Sequence, residues 1–459
     1  MKTLPHADDI DRTALLSAHD GSQPTLEAAI RAHETTGVTI CADSSTCTDA
    51  LGQAALLTAL VTAVRAFGNT VVVLDSPEAE VTSGIFTGQR LCDVVHAQGA
   101  RMSTDQGSLI ANPVWPTVLI GPRSVPPKVD NGATSQRIVL RASWNGWVAK
   151  VHASDAPQNN ADKSSCVLAA IAAGGLGISE AFAAARSIPG CDAGFRHVSL
   201  DLWTPAEIND QARPSLAFAP KSWWLIGLGH LGQAYAWTIS WIPYTDRSAV
   251  EIVLQDTDLT TRSNFSTGVL TPRESRGVLK TRLVAKIFDE IGFVTRIIER
   301  RLGSDQRVAE SDDHVALVGV DNLDTRRLIS KVGWLTAIDV GLGSGPANFS
   351  SILLRRFPGR EESGQVAAWT TTALQTAIPQ SPAFNDLSTR GDNCGMIEIA
   401  GKAVGAAFVG VISACIAVAE ATRELHGGRG HDILNFDLTT FDLRAAQSSH
   451  PANIITTRL

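Results

Sequence analysis

Apolar residues come in two kinds of run along this chain. Short runs, Val38-Thr39-Ile40-Cys41-Ala42, Thr70 to Leu74, Thr117 to Ile120, Trp223-Trp224-Leu225-Ile226, Ala249 to Leu254 and Val315 to Val320, end at glycine, proline or acidic residues and predict buried strands. Long runs, Ala50 to Phe67, Val167 to Ala185 and Ala403 to Ala419, are alanine-rich and predict buried helices, the first closed by Gly68 as a C′ residue. Residues 1–34 read as helical, with Thr25 to Arg31 the clearest periodic piece. Strands alternating with helices predict an α/β chain with mainly parallel sheets.

Two stretches break the pattern. Residues 203–221 carry several prolines and few periodic apolar positions, and read as a linker. Arg355 to Asn393 is rich in Pro, Gly, Ser and Thr and too long for a structureless connection inside a core, so it reads as a functional crossover loop. Beyond the helix stop at Gly427-Gly428, Leu434 to Leu438 and Phe441 to Leu443 predict short closing strands. On either side of the linker the order repeats: Thr117 to Gly121 corresponds to Val315 to Val320, and Ile178-Ser179-Glu180-Ala181 to Val418-Ala419-Glu420-Ala421. The expectation is two pseudo-duplicated Rossmann-like domains, 1–202 and 222–459; two unrelated α/β units are the plainer alternative.

Composition excludes more than it assigns. A chain of 459 residues with 44% hydrophobic and 19% charged residues builds large cores. Its net charge of −7 provides no electrostatic footprint for nucleic acid. The uncharged run Ala403 to Ala419 is closely bounded by Lys402 and Glu420 and reads as a buried helix, not a membrane span. Met1 to Asp9 lacks the apolar core of a signal peptide. Seven scattered cysteines with no C-x-x-C pair favour neither disulfides nor a cysteine zinc site, and a reducing cytoplasm is expected.

The chemistry concentrates after Trp223. That strand runs into Gly227-Leu228-Gly229-His230-Leu231-Gly232, and the next ends in Gln255-Asp256-Thr257-Asp258. Glycines allow a tight turn and close approach of a ligand, a helix start offers N–H groups to phosphate, and a carboxylate at the second strand end can take ribose hydroxyls. In the first half Asp43-Ser44-Ser45-Thr46 stands where such glycines would be. By itself the glycine motif serves dehydrogenases, methyltransferases and adenylating enzymes equally.

Asn264 follows Asp258 by six residues, Lys280 comes sixteen later, and a strand end reads Asp321-Asn322-Leu323-Asp324-Thr325-Arg326. In this succession residues 220–345 resemble the ThiF/MoeB and ubiquitin-activating adenylyltransferases. The resemblance implies that Gly227, Gly229 and Gly232 cradle ATP, with Asp256, Asp258 and Asn264 beside it, that Lys280 contacts the phosphates, and that Asp321 binds Mg²⁺. It makes the second half the active adenylation domain and the first an inactive one. These residue types suit attack of a carboxylate on the α-phosphate, where negative charge accumulates. One position departs: family members carry an arginine three residues after the asparagine, and here that residue is Thr267. Arg262, or a first-half arginine such as Arg12, is the expected substitute, since related enzymes borrow one across a dimer; a homodimer is one way to do so.

The resemblance also implies protein partners. The ubiquitin-activating branch carries a thioester-forming cysteine in its crossover loop, and here Cys394 ends that loop at a helix start, where the dipole favours thiolate. Cys415, inside an apolar helix, reads as inert. The implied substrate is a ubiquitin-like protein with a C-terminal glycine, the implied acceptor a conjugating enzyme, and the compact plan is similar to activating enzymes of bacterial ubiquitin-like systems, some of which serve in antiviral defence. Two alternatives remain at this stage: an adenylyltransferase without a thioester step, and an NAD(P)-dependent oxidoreductase.

Overall fold

The computed structural model of the chain describes residues 6–103, 115–127, 138–157, 165–188, 190–206, 213–343, 345–370, 378–389, 393–400, 404–448 and 456–459, with only the backbone at 393–395. In the first half β1 (Gly37–Ala42), β2 (Asn69–Leu74), β3 (Arg101–Met102), β4 (Thr117–Ile120), β5 (Val139–Asn145), β6 (Val148–His152) and β7 (His197–Asp201) form a sheet in the order β3-β2-β1-β4-β5-β6-β7. After β8 (Phe218–Pro220), the second half lays down β9 (Ser222–Ile226), β10 (Glu251–Gln255), β11 (Val294–Ile298), β12 (Val315–Val318), β13 (Thr336–Leu342), β14 (Ser351–Phe357), β15 (His431–Asp437) and β16 (Asp442–Gln447). Their order is β11-β10-β9-β12-β13-β14-β15-β16.

Strand for strand the two orders match, with β16 as an addition to the second. In each sheet the pairings are parallel up to the fifth strand (β5 or β13) and antiparallel beyond it. The expected pseudo-duplicated α/β architecture is the observed one. A last strand, β17 (Thr456–Arg458), returns to pair with β8, so residues 203–221 are not a plain linker: they hold a strand tied to the end of the chain.

The halves share one core. The helices Ala50–Ala66 and Val167–Arg186 of the first half pack with His230–Ser240 and Ala407–Arg423 of the second. Small residues make this approach close: a Cβ at Gly175 of the first half would press on Ile412 of the second. Among the described residues Val167–Arg186 is the one helix long and apolar enough, by length and composition, to cross a membrane, and 89% of its apolar window is buried inside the protein. The uncharged run expected to be a buried helix is the buried Ala407–Arg423. A separate apolar cluster of Trp224, Ile226, Val253, Ala316, Trp334 and Trp369 covers the other face of the second sheet.

Two further expectations need correction. Gly68 is not a left-handed helix stop: Phe67 leaves the helix extended (φ −121°), and Gly68 is small because a Cβ would strike the backbone of His33 and Glu34. The stretch 355–393 is not one loop, because Arg355, Arg356 and Phe357 belong to β14 and Pro382–Thr389 is a helix. Strand β14 hides in the sequence because Arg356, an inward position, is an arginine; at 3% exposure it is buried by its pair with Glu424 (2.8 Å).

Candidate nucleotide site

The second half's glycine turn sits between the ends of adjacent strands, and its glycines do different work. Gly227 leaves β9 with φ +79°, and a Cβ there would crowd Val320, just past β12. At Gly232 a Cβ would fall on the Gly227 carbonyl, so this glycine lets the helix pack onto the turn. Gly229 is the N-cap of His230–Ser240, with no side-chain cap, and a Cβ there would meet nothing within 4 Å. The helix start therefore presents backbone N–H groups to open space, the arrangement that receives anions.

The first half uses up the corresponding groups itself. Its turn after β1 is a short helix, Ser44–Thr48, whose Thr46 N–H donates to Asp43 (2.7 Å), and Asp49 in turn caps Gly52 (2.9 Å). A Cβ at Gly121 would collide with the Thr46 hydroxyl. Asp75 follows β2 as Asp256 follows β10, so the carboxylate position persists without the open turn.

Around the second-half turn the polar residues are tied together. One Asp256 carboxylate oxygen accepts the Leu228 N–H and the other the Asp258 N–H (2.7 Å), so this residue holds the turn it follows. Lys280 opens the helix Lys280–Glu290, and its Nζ lies 3.0 Å from Asp258 Oδ2. The lysine side chain is 9% exposed and its partner 58%, so the ammonium is fixed below the surface while the carboxylate faces solvent. Asn264 Oδ1 accepts the Thr261 N–H (2.9 Å) and shapes the turn Arg262–Ser266. Asp321, three residues past β12, is exposed and accepts no hydrogen bond among the described residues. Its neighbour Asn322 caps the next helix through Thr325 N–H (3.1 Å). The sequence-expected residues Gly227, Gly229, Gly232, Asp256 and Asp321 thus share one edge of the β10-β9-β12 sheet, with Lys280 and Asn264 on the segment after β10.

Of the two arginines expected to replace the one missing at Thr267, Arg262 is exposed. Arg12 of the first half comes directly against the segment: its backbone N–H donates to Ser266 Oγ (2.8 Å). Its Nη1 is buried without a hydrogen-bond partner among the described residues, and burial lowers its pKa. The preceding turn, Ala7–Asp9, packs on Arg262–Ser266 and on the helix Asn393–Ala400, with His6 Nε2 3.8 Å from Glu398. Cys394 is the second residue of that helix; its side chain lies outside the described residues. Cys415 is fully buried, and burial raises its thiol pKa well above the usual range.

Sequence reasoning missed other members of the site. Asp339, the one acid in β13, is 1% exposed, and burial pushes its pKa up to about 6 against the pull of Arg326 and Arg355. Arg326 lies 3.2 Å from it and also donates to the carbonyls of Val320 and Val340, both at 3.0 Å, joining two strand ends. A lone acid in an apolar strand was the available signal. His230, first residue of the helix after the glycine turn, accepts the Gly410 N–H at 3.2 Å, and burial lowers its pKa to about 4.

The BilD N-terminal domain family matches residues 37–202 and the BilD C-terminal domain family residues 219–428. A curated relative, the bacterial E1-like protein BilD of Collimonas sp. (strain OK412), is 33% identical over 437 residues, covering 94% of this chain and 92% of that protein. The chain belongs to the BilD family. The BilD match spans both halves, whereas the motifs of the wider ThiF/MoeB resemblance lie in the second. Among solved structures the chain is similar to E. coli MccB, with TM-score 0.34 and 12% identity over 50% of this chain and 62% of that one. A structure of MccB with MccA-N7isoASN matches at the same score over 64% of its chain.

Proposed function

We propose that the chain is an ATP-dependent, E1-type activating enzyme whose second half adenylates the C-terminal glycine of a ubiquitin-like protein, while the first half is catalytically silent. The observation that carries this reading is the uncapped helix start at Gly229, open to solvent and flanked on adjacent strand ends by Asp256 and Asp321. In the reaction an oxygen of the substrate's terminal carboxylate bonds to the α-phosphorus, the bond to the β-phosphate bridging oxygen breaks, and pyrophosphate leaves. Lys280 keeps one ammonium hydrogen on Asp258 and has two more for phosphate oxygens. Asp321, an exposed carboxylate without a hydrogen-bond partner among the described residues, fits as the protein ligand to Mg²⁺, which would neutralise phosphate charge. Arg12, whose backbone N–H reaches Ser266 from within the same chain, is the proposed substitute for the arginine missing at Thr267.

The silence of the first half follows from its turn, whose donors are already satisfied by Asp43 and Asp49. Cys394, in the first helical turn after the crossover, is the proposed acceptor: its thiolate attacks the acyl carbon, AMP leaves, and a conjugating enzyme then takes the acyl group. Calorimetry tests the first step. ATP·Mg²⁺ should bind and NAD should not, and Lys280→Ala or Asp321→Ala should slow substrate-dependent pyrophosphate exchange by about 10²–10³, the loss of one preorganised charge contact. Tight NAD binding without ATP binding would return the site to the oxidoreductases.

A further inference from the structure

Arg65 lies in the last turn of the helix Ala50–Ala66 of the first half and is 3% exposed. Its guanidinium donates only to carbonyls: Nη1 to Val61 in its own helix (2.8 Å), Nε to Gly268 (3.1 Å) and Nη2 to Thr271 (3.2 Å) in the other half. It also stacks on Phe265, 4.6 Å from the ring centroid, and the same ring takes Arg273 at 4.1 Å. Among the described residues no carboxylate pairs with it; burial, and then Arg273, lower its pKa to about 9. A buried cation without a counter-ion is a costly way to fill space. What a guanidinium gives that an apolar residue would not is the hold on Gly268 and Thr271.

Those two residues lead to the nucleotide site. Gly268 N–H donates to the Asn264 carbonyl (2.7 Å), and a Cβ at Gly268 would press on that carbonyl and on Gln233. Leu270 N–H donates to Gln233 Oε1 (3.0 Å), Gln233 Nε2 to the Leu228 carbonyl (3.2 Å), and Leu228 N–H to Asp256. A single hydrogen-bonded chain thus runs from the first half through the Asn264–Thr271 segment to the glycine turn.

We propose that Arg65 is a positioning residue for the nucleotide site of the opposite half, holding the Asn264–Thr271 segment against the glycine turn before nucleotide arrives. The proposal rests on the nucleotide reading given above, and it gives the silent half a part in that site which requires no ligand of its own. Preorganised segments bind without an ordering cost, so loosening this one should weaken binding more than folding.

The test is binding of ATP·Mg²⁺ by calorimetry to the full chain, well below its melting temperature. Arg65→Lys retains a cation but loses the forked reach to two carbonyls, and the dissociation constant should rise about tenfold, the size expected for one lost supporting contact. The effect should be non-additive with Asn264→Ala and additive with Asp321→Ala, which lies on a different strand end. A purely structural role would lower the melting temperature and leave the dissociation constant unchanged, and that result overturns the proposal. Hydrogen exchange of the wild-type chain provides a test without a variant: the Gly268 and Leu270 amides should be protected before nucleotide is added, and exchange at the rate of an unstructured peptide would also overturn it. A wild-type chain that binds no ATP removes the nucleotide reading itself, and the proposal with it.

Discussion

His230 shows how much one side chain is asked to do beside the turn proposed to receive phosphate. It is the first residue of the helix that follows Gly229, yet its ring turns away from the turn to accept the Gly410 N–H at the start of Ala407–Arg423. Burial is the main cause of its low pKa, about 4 against an ordinary 6.5, while the backbone of Ala406 and Ala407 opposes the change. The sign follows from linkage: the unfolded chain takes up a proton near pH 6.5 that the folded chain refuses until about pH 4, so His230 contributes stability fully above 6.5 and loses it as pH falls toward 4. Something on the order of 3 kcal/mol is involved, since the two states part by about 1.4 kcal/mol for each pH unit between those values. His19 moves in the same direction for the same reason, so the informative comparison is with His230→Gln, whose amide oxygen can accept the same N–H without titrating. Denaturant midpoints at about pH 7.5 and about pH 4.5, either side of most of this titration, should differ more for the wild type than for the variant. An equal acid loss in both would show that His230 is not the group responsible. No pattern in the sequence marked this histidine, because its partner lies 180 residues away.

At the scale of elements, the three glycines of one turn should respond differently to the same methyl group. Gly229→Ala puts a Cβ into open space, so ATP·Mg²⁺ binding should weaken as the methyl blocks approach to the helix start, with a smaller fall in melting temperature than at Gly232. Gly232→Ala drives a Cβ into the Gly227 carbonyl and should cost about 1–3 kcal/mol by overpacking, read as a fall in melting temperature. If Gly229→Ala binds ATP as the wild type does, the turn is not where the phosphates sit. The same turn shows what a sequence makes legible. Strand β9, its glycines, the helix after them and Asp256 are contiguous and were readable, because each is a local signal of period or turn chemistry. Strands β5 and β6 were not read: Arg141 and Lys150 interrupt their apolar runs, and Arg141 is buried only because four carbonyls receive it. Strand β14 failed for a similar reason, its Arg356 being satisfied by Glu424, which is distant in sequence. Inward arginines break the alternation on which strand prediction depends, and only tertiary partners explain them.

For the whole molecule, the repeated order of strands and helices was visible across the linker, but the way the halves complete one another was not, since it lies in contacts such as Arg12 to Ser266 and the Ala7–Asp9 turn. That turn touches both the Arg262–Ser266 side of the proposed nucleotide site and the helix Asn393–Ala400, whose backbone carries Cys394. The alternatives to Cys394 are poor. Cys415 is fully buried with a raised pKa, Cys47 and Cys166 are raised to about 11 and 12 by burial, and all but Cys394 and Cys415 lie in the first half. Mixed with ATP, Mg²⁺ and a ubiquitin-like protein that supports pyrophosphate exchange, the enzyme should form an adduct that thiol reductants cleave. Cys394→Ala should abolish the adduct and leave exchange within about twofold, because the adenylation step is proposed to use only the nucleotide site. Cys394→Ser should trap a reductant-resistant ester, since the hydroxyl is a poorer leaving group than the thiol. Should Cys394→Ala still form the labile adduct, the acceptor lies elsewhere; should no adduct form while exchange is rapid, the enzyme ends its work at the acyl adenylate and passes that intermediate directly to its acceptor.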